Sequence, residues 1–280
     1  SLDRKIERNL AEMESGTEIE RTAAIKALVI QAQTDDKWAD PIITSFLRVL
    51  PDQLASPQEA IIDGLLELRK VKVSREEEIF ESIQETLDSP YPSVRSKVVD
   101  IWTRFSLKSD SKTSDTIAVL FEMLSDDDKD VRYQTQESLS KILHTVPKVA
   151  LPELKNAIGD DDWRVTYHSI VLLTEFAKKY PDPSVALAPE VIEAFNSGER
   201  LKERAADCIG MLGLANPKVV KPAVPGLIKG LESKSSELRK ACATLNEELR
   251  LSGVILLYLI LSLCRHYGSK FLSTFRFENP

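Results

Sequence analysis

One stretch decides the fold, because it holds two helical patterns and the link between them. It reads SDTIAVLFEML (114–124), SDDDKDVR (125–132) and YQTQESLSKIL (133–143). In the two outer segments apolar residues recur every three to four positions, as one buried face of an α-helix requires. The acidic middle segment ends in Val131 and Arg132, directly before the second pattern. The stretch therefore predicts a hairpin of two helices.

The same design recurs on both sides of this stretch. Val94, Val131 and Val165 take the same place in three successive units, at intervals of 37 and 34 residues. An arginine recurs just after that place, or at the matching place of other units, as Arg21, Arg95, Arg132, Arg204 and Arg239. A pair of helices this short cannot bury its apolar stripe alone, so neighbouring pairs must stack into one continuous core. The repeat predicts an all-α solenoid.

We expect about seven helix pairs within residues 1–250 and a different segment after them. The approximate bounds of the pairs are 2–33, 38–71, 75–108, 113–146, 147–180, 183–215 and 217–250. Two of the pairs depart from the pattern. The second has Gln58 and Glu59 near the point where Val-Arg is expected, and the fifth has Thr166 in place of the arginine.

A period of 34 to 40 residues, with an Asp-rich link and Val-Arg at the start of the second helix, resembles the HEAT repeat. Three sites carry the resemblance: Val94-Arg95, Asp130-Val131-Arg132 and Leu238-Arg239. It implies a right-handed, armadillo-like α-solenoid superhelix, with first helices on the convex side and second helices on the concave side. It also implies that the recurrent arginine pairs with Asp residues of the links. Repeats of the phycobilin-lyase type belong to the same superfamily.

Composition and charge exclude several classes of protein. The 280 residues are 42% hydrophobic and carry a net charge of −7, which argues against a disordered chain and against a coat for nucleic acid. The first ten residues, SLDRKIERNL, lack the apolar core of a secretory signal. Three cysteines, Cys208, Cys242 and Cys264, are too few for a disulfide framework and fit a reducing compartment. We therefore expect a cytoplasmic protein.

Signatures of catalysis and of metal binding are missing from the sequence. None of the three histidines, His144, His168 and His266, is followed by Glu, as the metal-dependent HEAT hydroxylases require. The chain also lacks zinc-protease, C-x-x-C, G-x-S-x-G and phosphate-loop motifs. The expectation is a protein with no catalytic residue, no bound cofactor and no metal ligand.

The acidic runs 126–130 and 160–162 have two interpretations. Both come just before a second helix, where Asp side chains cap free backbone N–H groups and complement the helix dipole. They could also form an acidic ridge that attracts a basic partner. Neither run has the ligand spacing of a calcium loop. We favour capping.

Positions on the second helices that should point away from the core form the candidate binding surface. Tyr133 and Tyr167 take equivalent places in neighbouring units, and exposed tyrosines are typical of protein-binding surfaces. The candidate partner-binding residues are Tyr133, Tyr167, Asp100, Glu137, Arg104, Lys141 and Trp163. They predict a non-enzymatic scaffold that binds a protein, with a basic surface as one option, on its concave face or along an acidic edge. The alternatives are a module associated with an enzyme, such as a HEAT-like lyase or modifying factor, and a nucleic-acid-binding HEAT protein.

The segment 251–280 does not follow the repeat pattern. It contains the apolar run LSGVILLYLILSLC, which is shorter than the roughly 20 residues that a membrane-spanning helix needs. The segment could pack across the last repeat, mediate dimerisation, contact lipid or be an artefact of the sequence. We favour packing across the last repeat.

Overall fold

The computed structural model describes residues 2–107, 113–231, 233–236 and 238–241. All regular secondary structure in these ranges is helical, so the prediction of an all-α chain is confirmed for them. Residues 251–280, with Cys264 and His266, and also Cys242, lie outside the described residues. The predictions made for that segment therefore stay predictions.

Fourteen α-helices, joined by short links and 3-10 turns, make up the described chain. The first six are α1 (Leu2–Ser15), α2 (Glu18–Thr34), α3 (Ala39–Val49), α4 (Ala55–Leu68), α5 (Glu76–Glu85) and α6 (Pro92–Ser106). The other eight are α7 (Thr113–Glu122), α8 (Lys129–Thr145), α9 (Pro147–Ile158), α10 (Trp163–Lys179), α11 (Pro181–Ser184), α12 (Ala188–Ser197), α13 (Glu199–Ala215) and α14 (Val224–Gly230). The division into seven pairs stays a prediction.

The chain forms two compact units. The first contains the residues up to Arg104 together with Asp128–Gln134, and the second contains the rest of the described chain. In the first unit α2 packs against α1 and α4, and Ile25, Phe46 and Ile61 are fully buried. A Cβ placed on Gly64 of α4 would lie 2.6 Å from Val29 Cγ2, so glycine is what lets α4 approach α2 this closely.

In the second unit α10 packs against α9 and α13, and α13 packs against α12. Phe176 of α10 and Phe195 of α12 are almost fully buried in this core. Cys208 of α13 is a buried free thiol, and burial raises its pKa to about 12. The core thus fixes α10 and α13 as neighbouring second helices.

The acidic runs cap the helices that follow them, as the sequence predicted. Asp128 accepts hydrogen bonds from the backbone N–H groups of Asp130 (2.8 Å) and Val131 (3.2 Å) at the start of α8. Asp162 accepts one from the backbone N–H of Arg164 at the start of α10 (2.8 Å). The two backbone N–H groups are the main reason why the pKa of Asp128 is lowered, and the charges of nearby arginines add to the effect.

The recurrent arginines also bind the links through backbone carbonyls, which the sequence did not predict. Three of them donate to a carbonyl of the link before their own helix: Arg21 to Gly16 O (2.7 Å), Arg95 to Ser89 O (2.6 Å) and Arg239 to Ser233 O (2.6 Å). In the fifth predicted helix pair Thr166 donates to Asp160 O (3.0 Å) and so replaces the arginine in this role. In the second predicted helix pair Gln58 donates to Leu50 O (3.0 Å). One structural role is therefore filled by three types of side chain.

Candidate functional site

The predicted surface residues lie on the second helices, with different degrees of exposure. Tyr133 of α8 is 65% exposed. Asp100 and Arg104 form an ion pair of 3.2 Å, one turn apart on α6, and both side chains are more than half exposed. Glu137 and Lys141 are exposed on α8. The exposed Asp100–Arg104 pair contributes little to stability. Its two charges are therefore available to a partner without a large cost in stability.

Trp163 and Tyr167 lie one turn apart at the start of α10. Their rings make an edge-to-face contact with 6.5 Å between the centroids. Trp163 is the first residue of the helix and remains 43% exposed. Tyr167 is half-buried and also contacts the ring of His168 edge-to-face. Trp163 and Tyr167 are therefore in contact on α10, as Asp100 and Arg104 are on α6.

Arg164 fixes the start of α10, and with it the position of Trp163. Its guanidinium binds Asp162 (2.9 Å) within the link and Asp127 (3.1 Å) in the link of the preceding pair. These hydrogen bonds, that to Asp162 first, raise the pKa of Arg164 further above its already high value. The same contact with Arg164 lowers the pKa of Asp162. Arg164, the residue after Trp163, therefore joins two links.

Two arginines of α13 stack on the two aromatic rings of α10. The Arg200 guanidinium lies 4.9 Å from the centroid of the Trp163 ring, and that of Arg204 lies 5.9 Å from the centroid of Tyr167. Arg204 Nε also donates a hydrogen bond to the Tyr167 hydroxyl (3.1 Å). We name the pairs Trp163–Arg200 and Tyr167–Arg204 the outer rung and the inner rung. Both connect residues that are 37 positions apart in the sequence.

The two rungs differ in their electrostatic partners. At the inner rung the hydrogen bond with Tyr167 raises the pKa of Arg204, and Asp207 lies 3.6 Å from its guanidinium. Partial burial raises the pKa of Asp207, although the positive charge of Arg204 opposes this. At the outer rung the described residues place no carboxylate within ion-pair distance of Arg200. Arg204 therefore has a hydrogen-bond acceptor and an ion-pair partner within the chain. Among the described residues, the N–H donors of Arg200 have no carboxylate partner.

Arg200 was not among the residues predicted from the sequence, and Arg204 was given a structural role only. The signal that could have found both is their spacing of 37 residues from Trp163 and Tyr167, which equals the interval between Val94 and Val131. Equivalent places in adjacent units are neighbours in a stack of helix pairs. The arginine–aromatic pairing could therefore have been sought along this interval.

Within the described residues, no group of three or more His, Cys, Asp or Glu side chains is arranged to hold a metal ion. None of the helices in the same ranges combines the length and the apolar character needed to cross a membrane.

Comparison with known proteins identifies the repeat. Residues 80–174 match the family model described as HEAT repeats, and this range includes all of α8 and also Trp163 and Tyr167 of α10. The matched part of the chain is therefore built of HEAT repeats. No curated protein matches the chain by sequence.

The solved structures that resemble this chain include the karyopherin Kap121p and the protein Kap95p. Kap121p bound to Nup53p gives a TM-score of 0.59 at 14% identity, over 94% of this chain and 32% of Kap121p. Kap95p, in a structure with RanGDP, gives a TM-score of 0.52 at 15% identity, over 87% of this chain and 35% of Kap95p. The chain thus spans about a third of the length of either protein. At this level of identity the likeness shows the fold, an all-α solenoid.

Proposed function

We propose that the chain is a non-enzymatic scaffold that binds a partner protein on the face formed by α10 and α13. The observation that supports this most strongly is the half-exposed Trp163, held between Tyr167 and Arg200. Tryptophan, tyrosine and arginine are the residue types that contribute most to binding at protein interfaces. Here they are combined on two adjacent helices whose positions are fixed by the core.

Preorganisation supports the same assignment. Ordering a long side chain on binding costs free energy, and this cost is avoided where the free protein already holds the side chain in place. The ring of Trp163 holds Arg200 from one side, and Arg164 anchors the first turn of α10 through two carboxylates. A partner would therefore meet a surface that is already in its binding conformation.

The acidic runs are a weaker candidate for the contact surface. Asp128 and Asp162 are engaged with backbone N–H groups, and Asp162 and Asp127 also bind Arg164. The Asp127 side chain is 98% exposed, but Arg164 already offsets its charge. A basic partner along this edge would have to compete with these internal contacts. We therefore place the partner on the α10–α13 face.

The comparisons support protein binding at the level of the fold. The Kap121p structures include complexes with Nup53p, with Pho4p and with the extreme C-terminus of the protein phosphatase Cdc14p. We infer that this chain uses a HEAT-type solenoid for the same general purpose, to hold another protein. We also infer that it does so in the cytoplasm, because a free thiol such as Cys208 persists in a reducing compartment.

Site-specific photo-crosslinking tests the proposal. The photoreactive amino acid p-benzoylphenylalanine replaces Trp163, and in a matched control it replaces Lys148, an exposed residue of the first helix α9. In native extract, position 163 should give a discrete crosslinked protein and position 148 should not. Excess unlabelled wild-type chain should abolish the product, and excess Trp163→Ala chain should not. Equal crosslinking at both positions, or none at position 163, would reject this face as the binding surface.

A further inference from the structure

We infer that the outer rung recognises a carboxylate, so that the partner presents an acidic segment rather than a basic one. The inference rests on the proposed function and names the chemistry of the partner at the same site. It turns on the difference between the two rungs, which share a design but differ in what their arginines bind.

The Arg200 guanidinium has one face on an aromatic ring. It lies 4.9 Å from the Trp163 ring centroid, and the described residues offer it no carboxylate within ion-pair distance. Arginine can stack on an aromatic ring with its face while its edge presents a planar fork of N–H donors, and this fork matches the two oxygens of a carboxylate. The stacked position therefore orients the fork for a ligand that the described part of the chain does not supply.

The inner rung shows what such a fork binds when an acceptor is present. Arg204 lies over the Tyr167 ring, donates to the tyrosine hydroxyl at 3.1 Å and has Asp207 at 3.6 Å. The outer rung repeats the stacking without the two acceptors, since indole has no acceptor oxygen. A carboxylate from a partner would complete the outer rung as Asp207 completes the inner one.

The acidic side chains closest in sequence to the outer rung have partners of their own. Glu199 pairs with Lys202, and Asp162 pairs with Arg164. Arg200 also lies in the first turn of α13 and Trp163 in the first turn of α10. The positive end of a helix dipole favours an anion, and here two such ends lie beside a guanidinium that has no carboxylate partner among the described residues. These groups favour a carboxylate at the outer rung, although acidic residues lie nearby and the whole chain carries a net charge of −7.

The spacing of the rungs fits an extended partner segment. Residues one turn apart on a helix are separated by about 5–6 Å along its axis. Alternate residues of an extended strand are separated by about 6.6 Å. A segment that runs along α10 and α13 would place an acidic side chain on Arg200 and its next side chain on the same face near Tyr167. An aromatic or apolar neighbour would cover the exposed part of Trp163. The partner segment is thus acidic with interspersed aromatic residues.

Synthetic copolymers test this chemistry without knowledge of the partner. The probes are fluorescently labelled random copolymers of Glu and Tyr and of Lys and Tyr, matched in length, and binding to the full chain is followed by fluorescence anisotropy. The Glu-Tyr copolymer should bind more tightly than the Lys-Tyr copolymer. Arg200→Ala should weaken its binding about tenfold or more, because a charge-assisted bidentate contact is lost. Arg200→Lys should fall between, since lysine keeps the charge and loses the fork.

Matched variants separate the rung from general electrostatics. Arg8→Ala removes the same charge from an exposed position of α1 whose partner, Glu12, is also exposed. It should change binding of the Glu-Tyr copolymer less than about twofold, since exposed charges act weakly at a distance in salt. Trp163→Phe should retain part of the affinity, and Trp163→Ala should lose most of it. Circular dichroism of each variant checks that the fold is unchanged.

Several results would overturn the inference. Tighter binding of the Lys-Tyr copolymer, no binding of either copolymer, or an equal loss in Arg200→Ala and Arg8→Ala would each contradict it. Crosslinking at position 163 separates this failure from that of the proposed function. If position 163 still crosslinks a partner and Arg200→Ala is without effect, the face binds protein through other chemistry. If position 163 does not crosslink, the face itself is wrong.

Discussion

Replacement of Gln58 by Ala should reveal how the helix pairs are joined in the first unit. Gln58 is 2% exposed near the start of α4. It takes the role that an arginine has in other repeats. Its side chain donates to Leu50 O at 3.0 Å and accepts a hydrogen bond from Ser89 Oγ at 2.7 Å. It therefore connects its own link to the link of the next pair. Gln58→Ala removes both contacts and the side chain that fills the space between them.

The expected loss follows from these contacts. Two well-formed hydrogen bonds contribute about 1 kcal/mol each, and the one buried methylene group that is lost adds about 0.8 kcal/mol. A cavity of about 240 Å³ borders Gln58 and Ser89, and water in it would satisfy part of the freed groups. We expect a net decrease of about 2–3 kcal/mol in the free energy of unfolding. Ser89→Ala should cost about 1 kcal/mol, and the double variant should cost less than the sum by about 1 kcal/mol.

Urea denaturation followed by far-ultraviolet circular dichroism measures these differences. Gln84→Ala is the matched control, because it makes the same change at an exposed position of α5. It should alter the free energy of unfolding by less than about 0.5 kcal/mol. If Gln58→Ala is as mild as Gln84→Ala, or if the two losses at Gln58 and Ser89 simply add, the link-to-link hydrogen bond has no energetic role and the reasoning is refuted.

Three further predictions concern packing, pH and thiol reactivity. Gly64→Ala should lower the free energy of unfolding by about 1–2 kcal/mol in urea titrations. The added Cβ would lie 2.9 Å from Phe46 Cε2, and this steric cost exceeds the gain from the better helix propensity of alanine. An unchanged midpoint would show that α2 and α4 separate freely. The contact with Arg164 lowers the pKa of Asp162 in the folded chain below its ordinary value of 3.8. The ionised Asp162 therefore contributes its full stabilisation at pH values above 3.8, and this contribution is lost as the pH falls through the lower pKa of the folded state. The difference in stability between wild type and Asp162→Asn should therefore be largest near neutral pH and shrink below about pH 4, and a constant difference would rule the ion pair out as its source. With the other two cysteines replaced by serine, Cys208 should react with a thiol reagent only at the rate of local unfolding, and rapid labelling of the folded chain would contradict its burial.

The repeat could be read from the sequence because its signals are local. Helical periodicity and acidic caps depend on residues a few positions apart, and the interval between Val94 and Val131 gives the period. The capping role of Asp128 and Asp162 follows from the same local chemistry and is confirmed. These features need no knowledge of which helices lie side by side.

The rungs depend on contacts between helices, and for this reason the sequence indicated them only in part. Trp163 and Tyr167 were recognised by residue type, but Arg200 resembles any exposed charge on a helix. Its role follows from the guanidinium position over an indole that lies 37 residues earlier. The role of Gln58 was hidden in a similar way, because its hydrogen bonds replace those of an arginine with a different side-chain geometry. Side-chain direction across a helix interface is a tertiary property.

If a partner protein binds at Trp163, the crosslinked partner should bind the Trp163→Ala variant much more weakly than wild type. Once that partner is purified, calorimetric titration against wild type and Trp163→Ala gives the two dissociation constants. Trp163 is 43% exposed, so removal of its side chain should leave the fold intact. We expect a loss of about 2 kcal/mol or more, which is about thirtyfold in affinity, with the free energy of unfolding nearly unchanged. An affinity within twofold of wild type would contradict binding at Trp163.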